Sequence, residues 1–252
     1  MTHPVRFSVE ASIAEIVLDR PAVLNALDPP ALEALRAALA ACRDDERVRA
    51  IVVTGSGERA FCVGTDLKAT IGTSTGYVRG YRLDAIGLRK PLIAAINGAC
   101  MGGGLELALQ ADLRIASSNA TFALPEARVG SFPGGGGVPL LLRAVPRAIA
   151  MRLLLTGETI DAQRAREHGL VSEVVEPAQL RDAARDLAMR VARCAPLSLA
   201  AILDVAARCE GRPLAEGFEA SWEAFDALAG TSDRAEGRRA FAEKRPPRFT
   251  GK

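Results

Sequence analysis

Apolar residues recur along this chain with two different periods, and the change of period divides it. Residues 5–9 and 13–19 alternate or run apolar and predict two short strands, the second stopped by Pro21. Asp28-Pro29-Pro30 supplies an N-cap carboxylate followed by prolines suited to a first helical turn. Leu32, Leu35, Leu39 and Cys42 follow at helical spacing, so an amphipathic helix is expected over 29–43. Val48 to Thr54 and Pro91 to Ile96 read as buried strands, the latter ended by Asn97-Gly98. Between them, residues 55–76 are rich in Gly, Ser and Thr and read as loop, with a helix expected over 78–89. Gly102 to Gly104 leads into a helix through Leu105, Leu107, Ala108 and Leu109, and short strands are expected near 112–116 and 121–124. Four consecutive glycines, Gly134 to Gly137, follow Pro133. Beyond them helical patterns cover 147–156, 161–168, 177–193, 197–209, 213–228 and 232–243, with one strand near 171–175. The chain therefore reads as α/β, with a core over 1–195 and a helical C-terminal module over 196–252.

Composition narrows the function classes. A chain of 252 residues suits one sizeable core, alone or with a small appendage. Lys plus Arg is 32 against 30 Asp plus Glu, a net charge of +2 that argues against a general nucleic-acid binder. A local basic site for a phosphorylated ligand stays open. The five cysteines, Cys42, Cys62, Cys100, Cys194 and Cys209, are odd in number and form no C-x-x-C pair. They read as reduced thiols of a cytoplasmic protein, with no disulfide framework or metal site expected. The N-terminus lacks a signal-peptide apolar region, and no apolar run is long enough to span a bilayer. Only two histidines, His3 and His168, are present, which makes histidine-based triads and metal sites hard to build.

Four segments could carry chemistry. From Asn97 to Glu106 a strand delivers small residues to a helix start near Gly103, whose first N–H groups lack helical partners. Such donors suit an oxyanion, and Glu106 lies three residues on, on the same helix face as Gly103. The same glycines would also serve tight strand–helix packing, with Glu106 as a first-turn dipole partner. Phe122-Ala123-Leu124-Pro125-Glu126 ends an extended apolar run with a stiffened turn that presents a carboxylate. Glu126 can act as acid or base where burial raises its pKa, or it can simply cap the next turn. Phe61 to Lys68 runs from apolar residues into a turn that could supply a second backbone donor, or Asp66 could be a plain helix cap there. Lys244-Arg245 could meet phosphates or form a solvated basic end. Two pattern matches carry little. Gly55 to Ala60 fits a loose dinucleotide fingerprint without a following helix, and Gly72 to Gly76 fits a nucleophile elbow without a preceding strand.

In order, these segments resemble the crotonase (enoyl-CoA hydratase/isomerase) superfamily over nearly the whole chain. Leu18-Asp19-Arg20-Pro21 with Leu24-Asn25-Ala26, then Phe61 to Lys68, Ile93 to Gly98 with Gly102 to Ala108, and Asp112 carry the likeness. Pro125-Glu126, Pro133 to Gly137, Thr156-Gly157, Gly169 to Val171 and Phe241 to Arg245 continue it. The resemblance implies a spiral of ββα units, a helical module that forms trimers, often paired into hexamers, and an acyl-CoA ligand that needs no separate cofactor. By position it makes the N–H groups of Thr65 and Gly103 the oxyanion donors, and Glu106 and Glu126 the catalytic pair. The backbone of Val63, Thr65, Asp66, Leu67 and Lys68 would meet the adenine and pantetheine end of CoA, Gly134 would also contact the ligand, and Lys244 and Arg245 would reach the CoA phosphates, from the same or a neighbouring subunit. Two glutamates imply water addition to, or removal from, a 2-enoyl-CoA. Double-bond isomerisation and a non-catalytic acyl-CoA-binding subunit are the competing expectations. Asp66 to Ala69, Phe122 to Ala127 and the Phe241 to Arg245 ending resemble the carnitinyl-CoA dehydratase branch. Thr65 replaces the alanine frequent in hydratases.

Overall fold

The computed structural model describes residues 3–66 and 75–252. An antiparallel hairpin opens it, β1 (Val5–Glu10) on β2 (Ile13–Leu18). Helix α1 (Pro29–Asp44) starts where Asp28 accepts a 2.9 Å hydrogen bond from the Ala31 N–H. Its buried face, Ala31, Leu32, Leu35, Ala38, Leu39 and Cys42, follows the helical period.

Three successive units then repeat one plan. A strand of a large sheet is followed by a short strand of a small sheet and a helical segment. The first is β3 (Ala50–Gly55), β4 (Ala60–Cys62) and α2 (Thr75–Arg79). The second is β5 (Leu92–Ile96), β6 (Ala99–Met101) and α3 (Gly103–Leu109). The third is β7 (Leu113–Ser117), β8 (Thr121–Ala123) and a single 3-10 turn over Glu126–Val129. Helices α4 (Gly137–Ala144) and α5 (Arg147–Thr156), β9 (Ile160–Asp161), α6 (Ala162–Glu167), β10 (Glu173–Val175) and α7 (Leu180–Ala192) complete the core.

The large sheet runs β1-β2-β3-β5-β7-β10, parallel from β2 onward, and the small sheet runs β4-β6-β8-β9. One apolar core fills the space between α1, the sheets and α3. A second lies on the outer face of the large sheet, where Leu180, Ala184 and Ala188 of α7 meet Ile13, Val52, Ile93 and Ile115. In the small sheet β4, β6 and β8 are mutually parallel, with Cys62 beside Cys100 and Cys100 beside Phe122. Their carboxyl ends therefore emerge side by side, the usual place for a ligand site in parallel sheets.

The expected helix over 78–89 is instead two pieces, α2 and a 3-10 turn at Asp84–Ile86. Gly80 packs against Leu32 of α1 and Gly87 adopts φ +68, so the pattern between them cannot continue as one helix. The strands β4 and β6 fall in stretches whose composition reads as loop. Beyond α7 lie α8 (Pro196–Cys209), α9 (Leu214–Ala227) and α10 (Ser232–Ala242). Helix α8 buries none of its residues and α9 buries only Ala220.

Candidate active site

The three parallel carboxyl ends deliver three segments to one place. After β4 comes Val63-Gly64-Thr65-Asp66, after β6 comes Gly102 with α3, and after β8 comes Leu124-Pro125-Glu126. Asp66 accepts a 3.0 Å bond from Arg20, which also pairs with Asp28 at 2.9 Å, and this ties the first loop to the start of α1. The Leu27 N–H donates to the Gly64 carbonyl and the Asp66 N–H to the Leu27 carbonyl. Among the described residues, the Thr65 and Gly103 N–H groups between these contacts donate to nothing. The two loops abut, since a Cβ on Gly64 would lie 2.7 Å from the Gly103 nitrogen. Gly102 enters α3 at φ 53, ψ −127, a region open to little besides glycine. That turn aims the first N–H of α3 into the site.

Glu106 rides the first turn of α3 and is only 4% exposed. Its Oε1 accepts a 2.8 Å bond from the Gly137 N–H at the start of α4. A Cβ on Gly135 would sit 2.6 Å from Glu106 Oε2, so the glycine run wraps the carboxyl closely. Burial pushes the Glu106 carboxyl up to about 7, and charge on Glu126 adds to the rise. The N–H groups of Gly137 and Gly135 oppose it. Glu126 is also raised by burial. One of its oxygens, Oε1, lies over Gly102, within 3.0 Å of where a Cβ would be. The other, Oε2, is fully buried and has no hydrogen-bond partner among the described residues. Two carboxyls that can each hold a proton thus flank a pair of open N–H donors. Such a set can polarise a carbonyl and move a proton at the carbons beside it.

The other expected contacts are placed as follows. Val63, Thr65 and Asp66 form the first loop. Leu67 and Lys68 lie outside the described residues. Gly134 is exposed and faces Val78, next to the α2 side of the site. Arg245 pairs with Glu236 at 2.6 Å and with Glu243, while Lys244 forms no ion pair among the described residues. Residue-level reading missed three elements. Gly137 holds Glu106 across 31 positions with Gly135 packed against the same carboxyl, and only the glycine run hinted at it. Gln110 donates to the backbone carbonyls of Tyr81 and Glu106 at 2.9 and 3.0 Å. Tyr81 is 1% exposed beside Thr65; the available signal was that the chain's two tyrosines stand four residues apart.

Comparison with known proteins gives the chain's relatives. A family model described as enoyl-CoA hydratase/isomerase matches residues 8–252. The chain is 44% identical over 254 residues to (E)-benzylidenesuccinyl-CoA hydratase of Thauera aromatica, covering 98% of this chain and 99% of that protein. It is 38% identical to carnitinyl-CoA dehydratase of Proteus mirabilis, over all of both chains. The crystal structure of enoyl-CoA hydratase from Bacillus anthracis superposes with a TM-score of 0.95 at 33% identity, covering 99% of this chain and 100% of that one.

Proposed function

The chain belongs to the enoyl-CoA hydratase/isomerase family and is a hydratase-type carbon–oxygen lyase, and on that premise we propose a division of labour among its residues. The thioester oxygen of a 2-enoyl-CoA binds the N–H groups of Thr65 and Gly103, which stabilise the enolate as it forms. Water sits between Glu106 and Glu126. Ionised Glu106 takes a proton from it as its oxygen attacks the β-carbon. Protonated Glu126 delivers a proton to the α-carbon, and dehydration runs the same steps in reverse. The carrying observation is a pair of carboxyls, Glu106 buried and Glu126 half-buried, both raised by burial, beside two open N–H donors.

The unpartnered Glu126 Oε2 supports the role of proton carrier, because a buried carboxylate oxygen without a donor favours the protonated form. The backbone of Val63, Thr65 and Asp66 is proposed to meet the adenine and pantetheine end of CoA, as the family resemblance also implies for Leu67 and Lys68, and Gly134 to contact the ligand. Lys244 and Arg245 meet its phosphates from a neighbouring subunit; among the described residues Lys244 forms no ion pair, whereas Arg245 shares its charge with Glu236 and Glu243. The enzyme is a cytoplasmic homotrimer or dimer of trimers, a reading supported by five free cysteines and by the exposed apolar residues of α8 and α9. The test is loss of the enoyl-thioester absorbance with crotonyl-CoA, with longer chains, and with aryl-substituted and quaternary-ammonium acyl groups like those in the relatives' names. Hydration of at least one is expected. No hydration across the panel, or a product of unchanged mass, overturns the reading.

A further inference from the structure

The two tyrosines of the chain form a hydrogen-bonded chain of hydroxyls that ends at the oxyanion loop. Tyr77 Oη donates to the Leu27 carbonyl at 2.7 Å. A phenol carries one proton, so at its 3.2 Å contact with Tyr81 Oη, Tyr77 can only accept. Tyr81 therefore donates to Tyr77, and its remaining contact, 3.3 Å from Thr65 Oγ1, is one in which Thr65 donates. The order is Thr65 to Tyr81 to Tyr77 to the Leu27 carbonyl. Leu27 is the residue whose N–H and C=O bond the Gly64 carbonyl and the Asp66 N–H on either side of Thr65. The chain thus closes on itself. Thr65 is held through its neighbours' backbone by Leu27 and through its side chain by Tyr81.

Tyr81 also touches the second donor residue. A Cβ on Gly103 would lie 2.6 Å from ring carbon Cε1 and 2.8 Å from Oη, so the phenol packs flush against the Gly103 backbone. Its own backbone is fixed through Gln110 to α3, the helix that carries Glu106. Burial pushes the Tyr81 hydroxyl up, which keeps its proton in place. We propose that Tyr81 is a positioning residue. It locks the Thr65 and Gly103 N–H groups in register through the hydroxyl chain and the packed ring, and so sets the strength of the oxyanion contact. The proposal rests on the oxyanion role given above to those two residues.

The test compares variants under steady-state turnover of crotonyl-CoA or whichever panel substrate the wild type hydrates. Tyr81→Phe is expected to lower kcat about tenfold and to move KM by less than about twofold, as for a contact that matters more in the transition state than in the bound substrate. Thr65→Val, which deletes the other end of the same bond, is expected to give a similar loss, and Thr65→Ser to recover most of it. The double variant is expected to lose about as much as either single one, because the two changes break one interaction. In a Glu126→Gln background, the carbonyl stretch of bound crotonyl-CoA should move back toward its free frequency when Tyr81→Phe is added.

A merely structural tyrosine would lower thermal stability and leave kcat and the carbonyl stretch unchanged in the folded variant. That outcome, or losses that multiply in the double variant, overturns the proposal. Should Tyr81→Phe fail to fold, the contrast of Thr65→Val with Thr65→Ser decides in its place. A wild type that hydrates no substrate overturns the catalytic reading and this inference with it. A wild type that hydrates while both single variants keep full kcat overturns this inference alone.

Discussion

Two regions of the molecule invert the ordinary sorting of polar and apolar residues, and they answer the inversion differently. In the candidate active site Glu106 is 4% exposed and Glu126 keeps a fully buried oxygen. In the C-terminal helices Leu214, Phe218, Trp222 and Phe225 are each more than half exposed, with Phe218 and Trp222 stacked at 6.1 Å. The first inversion is met from within the chain. Gly137 donates to Glu106, and raised pKa values let both carboxyls shed the charge that burial disfavours. The second is not met among the described residues, where the apolar residues of α9 find little cover. A buried acid maintained by its own scaffold is suited to reaction. An apolar face left open is suited to covering by another surface.

The sharpest way to break the first half of that contrast is to remove the acid and keep its shape. Glu126→Gln is expected to lower kcat by about 10³-fold with little change in substrate affinity, the range of positioned acid–base groups. A loss below about tenfold would mean that Glu126 moves no proton in the rate-limiting step. Gly135→Ala leaves both acids present and disturbs only the wrapping. Its Cβ would come within 2.6 Å of Glu106 Oε2, so the carboxyl must shift. A loss of about 100-fold in kcat is expected from such a displacement. Unchanged turnover would show that Glu106 tolerates movement and that the glycine run is packing alone.

These variants probe a feature only partly written in the local sequence. Glu106 and Glu126 were legible as candidates because a glycine-led helix start and a Pro-Glu turn have recognisable local chemistry. Each alone admitted a plain structural role. What decides between roles is long-range: Gly137 reaches Glu106 from 31 residues away, and no periodicity reports that. The large sheet was legible because Val48–Thr54 and Pro91–Ile96 are long apolar runs. Of the small sheet β8 was legible, expected near 121–124, whereas β4 and β6 were not, because they are three residues each and sit among turn-forming neighbours. The expected helix over 78–89 failed for a related reason. Its apolar spacing was real, but Tyr81 and Ile86 reach the core from two short turns separated by a loop.

The acid environment also makes a stability prediction with a definite sign. Folding raises the Glu106 carboxyl from 4.5 to about 7. Between those values the folded chain holds more protons than the unfolded one, so this residue's contribution to stability falls as pH rises from 4.5 and is fully lost above 7. The loss corresponds to about 3 kcal/mol by the usual conversion. Glu106→Gln removes it. The variant should therefore match the wild type near pH 4.5 and exceed it in urea unfolding near pH 8, at equal protein concentration. An advantage independent of pH would show that Glu106 is not neutralised by burial. In turnover, the hydration kcat/KM of the wild type should fall about tenfold per pH unit below about 7, as Glu106 gains the proton that stops it from accepting one.

The second half of the contrast has the smallest expected effect on chemistry and a large one on mass. Trp222→Glu places a charge in the middle of the exposed apolar face of α9, beside Phe218. Charge at the core of a subunit interface is strongly disfavoured, whereas on a free surface it is harmless. Sedimentation should therefore show the wild type as a trimer or larger and the variant as a smaller species. The stability advantage of Glu106→Gln near pH 8 should survive in the Trp222→Glu background, because it originates in contacts within one chain. A wild type already monomeric would leave the exposed aromatics of α9 unexplained by self-association. Loss of the Glu106→Gln advantage in the dissociated form would instead show that the burial of the acid depends on the neighbouring subunit. The separation between a self-sufficient site and a shared surface would then fall.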